Sequence, residues 1–212
     1  MYNSPHFAEQ RRAEIERLLR AHPLGTLVVQ TADGLDAHHL PFLYAPAEGP
    51  HGTLRAHVAR ANPLWRQCRD GDAVLAIFRG PEAYVSPNWY PSKHEAHRQV
   101  PTWNYQVVHL HGRIAIRDDE RFVRGVVARL TQAHEAGTGA GTPWKMGDAP
   151  PDYLDAMLAA IVGIEIAVER VEAKSKLSQN KDARDRLGAA EALQAQGRDA
   201  LAQAMRQAPP PL

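Results

Sequence analysis

A chain of 212 residues, 44% hydrophobic and 23% charged, can bury one sizeable core and reads as a single globular domain. The formal net charge of +1 gives no global attraction to nucleic acid or to an acidic membrane surface, so any basic patch is local. One cysteine, Cys68, excludes an internal disulfide and a cysteine-based zinc cage, no apolar run is long enough to span a bilayer, and MYNSPHFAEQRR lacks the apolar core of a signal peptide. The expectation is a cytoplasmic protein with no membrane partner.

Residues 8–21 predict a short helix with Ile15, Leu18 and Leu19 on one face, ended by Pro23. Gly25–Thr31 and Ala37–Tyr44 predict a hairpin around Ala32-Asp33-Gly34, with Pro41 marking an edge or a bulge. Thr53–Val58 is a third strand, and Ala59–Arg69 a helix entered through Asn62-Pro63. Ala73–Phe78 and Ala83–Ser86 supply a fourth and a fifth strand, and Tyr105–Ile116 the longest. Asp118 or Asp119 then caps a helix in which Phe122, Val126 and Leu130 stack. After a Gly/Pro-rich loop over residues 136–151 come a brief helix, Asp152–Ala160, and a last strand, Ile161–Val171. One amphipathic helix is expected over about residues 182–206. Short strands joined by hairpins, with few helices between them, predict a mainly β chain with helical additions (α+β), an antiparallel barrel or sandwich rather than a parallel α/β sheet.

Between two of these strands, residues 83–105 (AYVSPNWYPSKHEAHRQVPTWNY) hold Trp89, Trp103, Tyr84, Tyr90 and Tyr105 beside three prolines, with Lys93, His94, His97 and Arg98. Proline fixes φ and removes donors, so the rings sit on an ordered loop. That loop either covers one end of the core or forms a wall for a flat, anionic ligand.

The histidines come in pairs, 38/39, 94/97 and 109/111, but no HExxH or carboxylate-flanked pattern completes a metal set, and no metal is expected. No serine stands in GxSxG, and no Walker or GxGxxG sequence is present. Two segments could hold an anion. One is His57–Pro63, where an arginine meets a helix start; the other is Lys174–Lys181 (KSKLSQNK), rich in donors. Both are equally readable as solvated surface.

Taken together, MYNSPHF, HHLPFLY, HVARANPLW, AYVSPNWY, VPTWNYQVVHLHG and KLSQNK, in this order, resemble the PaiB family of FMN-binding negative transcriptional regulators. The resemblance runs from Met1 to about Met205. It implies the antiparallel split β-barrel of the FMN-binding type, shared with pyridoxamine phosphate oxidases and flavin reductases, in which two subunits usually form a dimer with the flavin near their interface. It further implies that Arg60, with His57 and Asn62, holds the FMN phosphate, and that the strand of His38, His39 and Leu40 runs along the flavin. Ser86, Trp89, Tyr90, Lys93, Trp103 and Asn104 fall in motifs expected to line the ring and the interface. Lys176, Ser178 and Gln179 belong to the C-terminal signature, to which the residues alone assign no role. Two positions depart from the pattern: Ala173-Lys174 stands where the family often has glycine before that signature, and Ala61 where the phosphate oxidases carry a second basic residue.

The implied function is a homodimeric, FMN-binding negative regulator. The alternatives are a flavin-dependent oxidoreductase acting on a small molecule, and a haem-binding or haem-processing barrel. DNA is a possible partner that neither charge nor a helix-turn-helix supports. No catalytic residue is assigned.

Overall fold

The computed structural model describes residues 1–139 and 141–209. Seven strands form one antiparallel sheet in the order β2-β1-β5-β6-β7-β4-β3. The strands are β1 (Leu24–Thr31), β2 (Gly34–Pro41), β3 (Leu43–Ala45), β4 (Thr53–Ala59), β5 (Ala73–Val85), β6 (Thr102–Arg117) and β7 (Ile161–Lys176). The helices are α1 (Arg12–Ala21), α2 (Leu64–Gln67), α3 (Pro91–Ala96), α4 (Glu120–Glu135), α5 (Pro151–Ala159), α6 (Ala183–Ala195) and α7 (Asp199–Gln207). No described helix is long and apolar enough to cross a membrane.

Contacts divide the chain into two compact units. Among the described residues, the first holds residues 1–18, 79–108 and 172–209; the second holds residues 19–78, 109–139 and 141–171. β5, β6 and β7 each contribute to both, which is why they are the longest strands.

In the second unit the strands follow strict alternation. Leu27 and Val29 of β1, Leu54, Ala56 and Val58 of β4, and Val162, Ile164 and Ile166 of β7 are all buried, and the residues between them are half-buried apart from buried Gly163. The hairpin β1–β2 forms with Leu24 opposite Pro41 and Thr31 opposite Gly34. β2 is an outer strand of the sheet, where the missing N–H of Pro41 costs no ladder bond. Asp119, not Asp118, caps α4, its Oδ1 accepting from Phe122 N at 2.7 Å, and Val123, Val126 and Leu130 form the buried stripe.

Several elements differ from the sequence expectation. The helix expected over Ala59–Arg69 shrinks to the four residues of α2, because the Asn62 side chain accepts from Leu64 N and delays the first turn. The fourth and fifth strands are one strand, β5, running through Gly80-Pro81; the β1 pairing ends at Ile77, so Pro81 takes no donor from it. The last strand continues five residues further than expected, to Lys176. The C-terminal helix is two helices, broken at Gly197, whose φ of 72° suits glycine in a left-handed helix stop.

The core of the first unit is made by Val85, Tyr90, Leu177, Ala189, Ala190, Leu193, Leu201 and Met205. Its tightest approach is at Gly188 on α6, where an added Cβ would lie 2.7 Å from the Trp89 carbonyl oxygen. Gly188→Ala, stabilising in an open helix, is therefore expected to destabilise here by about 1–3 kcal/mol, because backbone cannot move aside as a side chain can. A fall in the thermal midpoint of the variant checks this; a rise would show that α6 does not press on the Trp89 turn.

Candidate functional site

In the first unit the segments VSPNWY, VPTWNY and KLSQNK meet. Ser86 Oγ accepts from Asn88 N at 3.2 Å and caps a 3₁₀ turn, Pro87–Trp89, that brings half-buried Trp89 against the core. Tyr90 follows, fully buried, its hydroxyl 3.5 Å from Ser178 Oγ; burial pushes its phenol above the ordinary tyrosine range. Asn104, also fully buried, donates from Nδ2 to the same Ser178 Oγ at 2.9 Å. Ser178 is held at φ 65°, a left-handed conformation costly for a residue other than glycine. Gln179 secures that turn, accepting from Leu177 N at 2.7 Å and donating to the Ser175 carbonyl at 2.6 Å. A second link, absent from the sequence expectations, joins the loop to α6. Buried Asp185 accepts from Ser92 N, Ser92 Oγ and Gln99 Nε2, and Lys181 Nζ donates to Gln99 Oε1 while lying 5.5 Å from the Tyr90 ring centroid.

These contacts give the C-terminal signature a role: it pins the ring-rich loop to the end of β7. Tyr90, Asn104, Ser178 and Gln179 do so from the interior, whereas Trp89 and Lys93 are half-buried and Trp103 is exposed. The loop, expected to be ordered but irregular, contains a helix, α3, ending at His97 in a left-handed conformation.

On the other side of the same strands lies a second arrangement. Alternation turns Ala83 and Val85, Asn104 and Gln106, and Ala173, Ser175 and Leu177 inward. It turns Tyr84, Trp103, Tyr105, Lys174 and Lys176 outward. Tyr84 is 47% and Trp103 49% exposed, their ring centroids 6.5 Å apart at 67°. Lys174 Nζ lies 5.5 Å from the Tyr105 centroid and 5.6 Å from that of Tyr2, and donates to the Tyr2 carbonyl at 3.2 Å. Lys176 Nζ donates to Thr102 Oγ1. Burial and the neighbouring Lys174 charge hold the Lys176 ammonium below the ordinary lysine range. The period-2 pattern of Trp103/Tyr105 and Lys174/Lys176 is visible in the sequence, but only once β7 is extended to Lys176.

In the second unit, the expected residues lie on β2, β4 and the turn after β4. His39 is exposed, its Nδ1 3.0 Å from Thr26 Oγ1, and Leu40 is buried on the opposite face. His38 Nε2 is buried 3.3 Å from Asp36 Oδ2, without hydrogen-bond geometry. Burial pushes His57 below the ordinary imidazole range. His109 and His111 share one face of β6, ring centroids 6.5 Å apart.

Arg60 is fully engaged. Its Nη1 and Nη2 donate to Asp118 at 2.8 and 2.5 Å, Nε to the Ala159 carbonyl at 2.7 Å, and Nη2 also to the Ile161 carbonyl at 3.2 Å. Beside it a cavity of about 280 Å³ is lined by four carboxylate residues, Asp118, Asp119, Glu120 and Asp155. Asn62 spends its side-chain oxygen on Leu64 N, and α2 is too short to present an anion-binding start. The phosphate grip expected of Arg60 would thus require it to release Asp118.

Residues 1–170 match a family model described as "Putative FMN-binding domain". The chain belongs to this FMN-binding family. The protease synthase and sporulation protein PAI 2 of Bacillus subtilis (strain 168) is 31% identical over 194 residues, covering 92% of this chain and 89% of that one, which makes the family PaiB. FMN is the cofactor of the family. Two solved structures share the fold at a TM-score of 0.59. One is the flavocytochrome Anf3 from Azotobacter vinelandii, 14% identical, covering 79% of this chain and 68% of that chain. The other is an FAD and heme binding protein from Mycobacterium smegmatis, 17% identical, covering 86% of this chain and 79% of that chain. The split-barrel expectation therefore holds.

The buried polar cluster makes a direct prediction about stability. Ser178→Ala leaves the buried Asn104 amide with only the weak sulfur acceptor Met205 Sδ, 3.5 Å away, and should cost about 1–3 kcal/mol. Denaturant unfolding measures it; an unchanged midpoint would mean that Asn104 does not depend on Ser178.

Proposed function

We propose that this protein is a homodimeric, cytoplasmic negative regulator of the PaiB type, with FMN resting on the outward face of the first unit. The observation that carries this reading is the pair of exposed rings, Tyr84 and Trp103, on strands whose neighbour β7 presents Lys174 and Lys176. An exposed ring face beside cations whose hydrogen-bond partners among the described residues are neutral suits a planar ring that carries an anion. These residues fit FMN. FMN, when bound, supplies an acceptor of one or two electrons. In this reading the chain's own part is to hold the ring, exclude water from it and neutralise its phosphate.

The regulatory part rests on the relative PAI 2, whose name joins it to protease synthesis and sporulation. Direct reading of a DNA groove finds little support here. The net charge is +1, and α6 interleaves Asp185 and Glu191 with its arginines. The signal in this reading is flavin occupancy.

Two measurements test it. Trp103→Ala should weaken FMN and riboflavin alike, by up to about tenfold, since stacking acts on the ring they share; flavin fluorescence titration reads both, and unchanged affinities would remove Trp103 from the site. The same exposed rings lead us to expect a dimer joint beside Trp103. Light scattering at high micromolar concentration should give twice the chain mass, and a monomer mass would contradict the dimer.

A further inference from the structure

The inference rests on the reading that FMN occupies the outward face of the first unit, and it concerns where the phosphate goes. Lys174 is 8% exposed and Lys176 half-buried, two residues apart on one face of β7. Their hydrogen-bond partners among the described residues are neutral: the Tyr2 carbonyl for one and the Thr102 hydroxyl for the other. The carboxylate next along that face, Glu172, has the Met1 ammonium 3.2 Å from its Oε2. Two cations drawn partly out of water and repelling each other are unfavourable until an anion joins them. Arg60 stands in the opposite condition, bidentate on Asp118 beside further carboxylates, so an arriving dianion must displace one negative charge and face the rest.

We propose that Lys176, supported by Lys174, is the site in this chain for a phosphate monoester dianion, the 5′-phosphate of FMN, and that Arg60 is a structural clamp. Arg60 ties the end of β4 to the end of β6, through Asp118, and to the α5–β7 junction, through the Ala159 and Ile161 carbonyls. Lys176 reaches Thr102, the residue before Trp103, so the anion site and the exposed ring adjoin along the chain. The Thr102 hydroxyl is a neutral acceptor that the ammonium can exchange for a phosphate oxygen, replacing a weak bond by a charge-assisted one.

The experiment is a set of fluorescence titrations with FMN and with riboflavin, which has the same ring and no phosphate. Lys176→Met should weaken FMN roughly tenfold to a hundredfold and leave riboflavin nearly unchanged. Lys176→Arg should retain most of the FMN affinity, and Thr102→Val, which removes only the neutral partner, should retain it as well. Inorganic phosphate should compete with FMN in the parent and lose that effect in Lys176→Met. Arg60→Ala should lower the thermal midpoint while leaving the ratio of FMN to riboflavin affinity as it was. A Lys176→Met protein that keeps that ratio overturns the proposal, and so does an Arg60→Ala protein that loses it. The underlying reading fails in a different way: the Trp103→Ala protein would then bind both flavins as well as the parent does.

Discussion

The hydrogen bond from Asn104 to Ser178 is the contact on which the first unit depends. Both residues are buried, so neither can exchange its partner for bulk water, and the bond joins two segments 74 positions apart in the chain. A buried amide without a good acceptor is costly; beside the weak contact to Met205 Sδ, this one has the Ser178 hydroxyl, which Ser178 presents from a left-handed conformation. The Gln179 side chain makes that conformation hold by closing the turn on itself from both sides. The Tyr90 hydroxyl, the loop that carries it and the α6–α7 pair packed on Tyr90 are positioned by the same turn. Motifs that read as separate signatures in the sequence are therefore one physical object.

That object has an interior and an exterior, and the β alternation assigns them different work. Inward residues of β5, β6 and β7 carry packing and buried polar bonds. Outward ones leave rings and lysines on the opposite face, where nothing in the core requires them. Rings at nearly half exposure, and partly buried lysines whose hydrogen-bond partners among the described residues are neutral, are poor choices for stability alone, and functional sites are where such choices are tolerated.

Much of this architecture was legible in the sequence. The hairpin with Pro41 at an edge, the alternating strands β4 and β7 and the capped α4 follow from local chemistry and are present, although the strand expected over Ala37–Tyr44 stops at Pro41 and Leu43–Ala45 pairs with β4 instead. The site was less legible. Tyr90, Asn104, Ser178 and Gln179 stand in motifs that the sequence singles out, but no local pattern says that their side chains point inward; that depends on register across strands far apart in sequence. Lys174 and Lys176 read as part of a donor-rich segment, either a solvated strand exit or an anion holder, because the expected strand stops at Val171 and their common face shows only once β7 runs to Lys176. Arg60 looked like an anion holder because a strand end, an arginine and Asn-Pro are a sound local signal. What local reasoning could not supply was Asp118, 58 positions away, which takes the guanidinium.

Electrostatics separates the two candidate cations more sharply than sequence does. A guanidinium already bidentate on a carboxylate offers an anion only exchange, while two repelling ammoniums offer net relief. The most direct test is a crystal structure of the protein with FMN bound. The account predicts the phosphate within hydrogen-bond distance of the Lys176 ammonium, the isoalloxazine against Trp103, and the Arg60–Asp118 pair intact. A phosphate seated on Arg60, with Asp118 turned away, would contradict it.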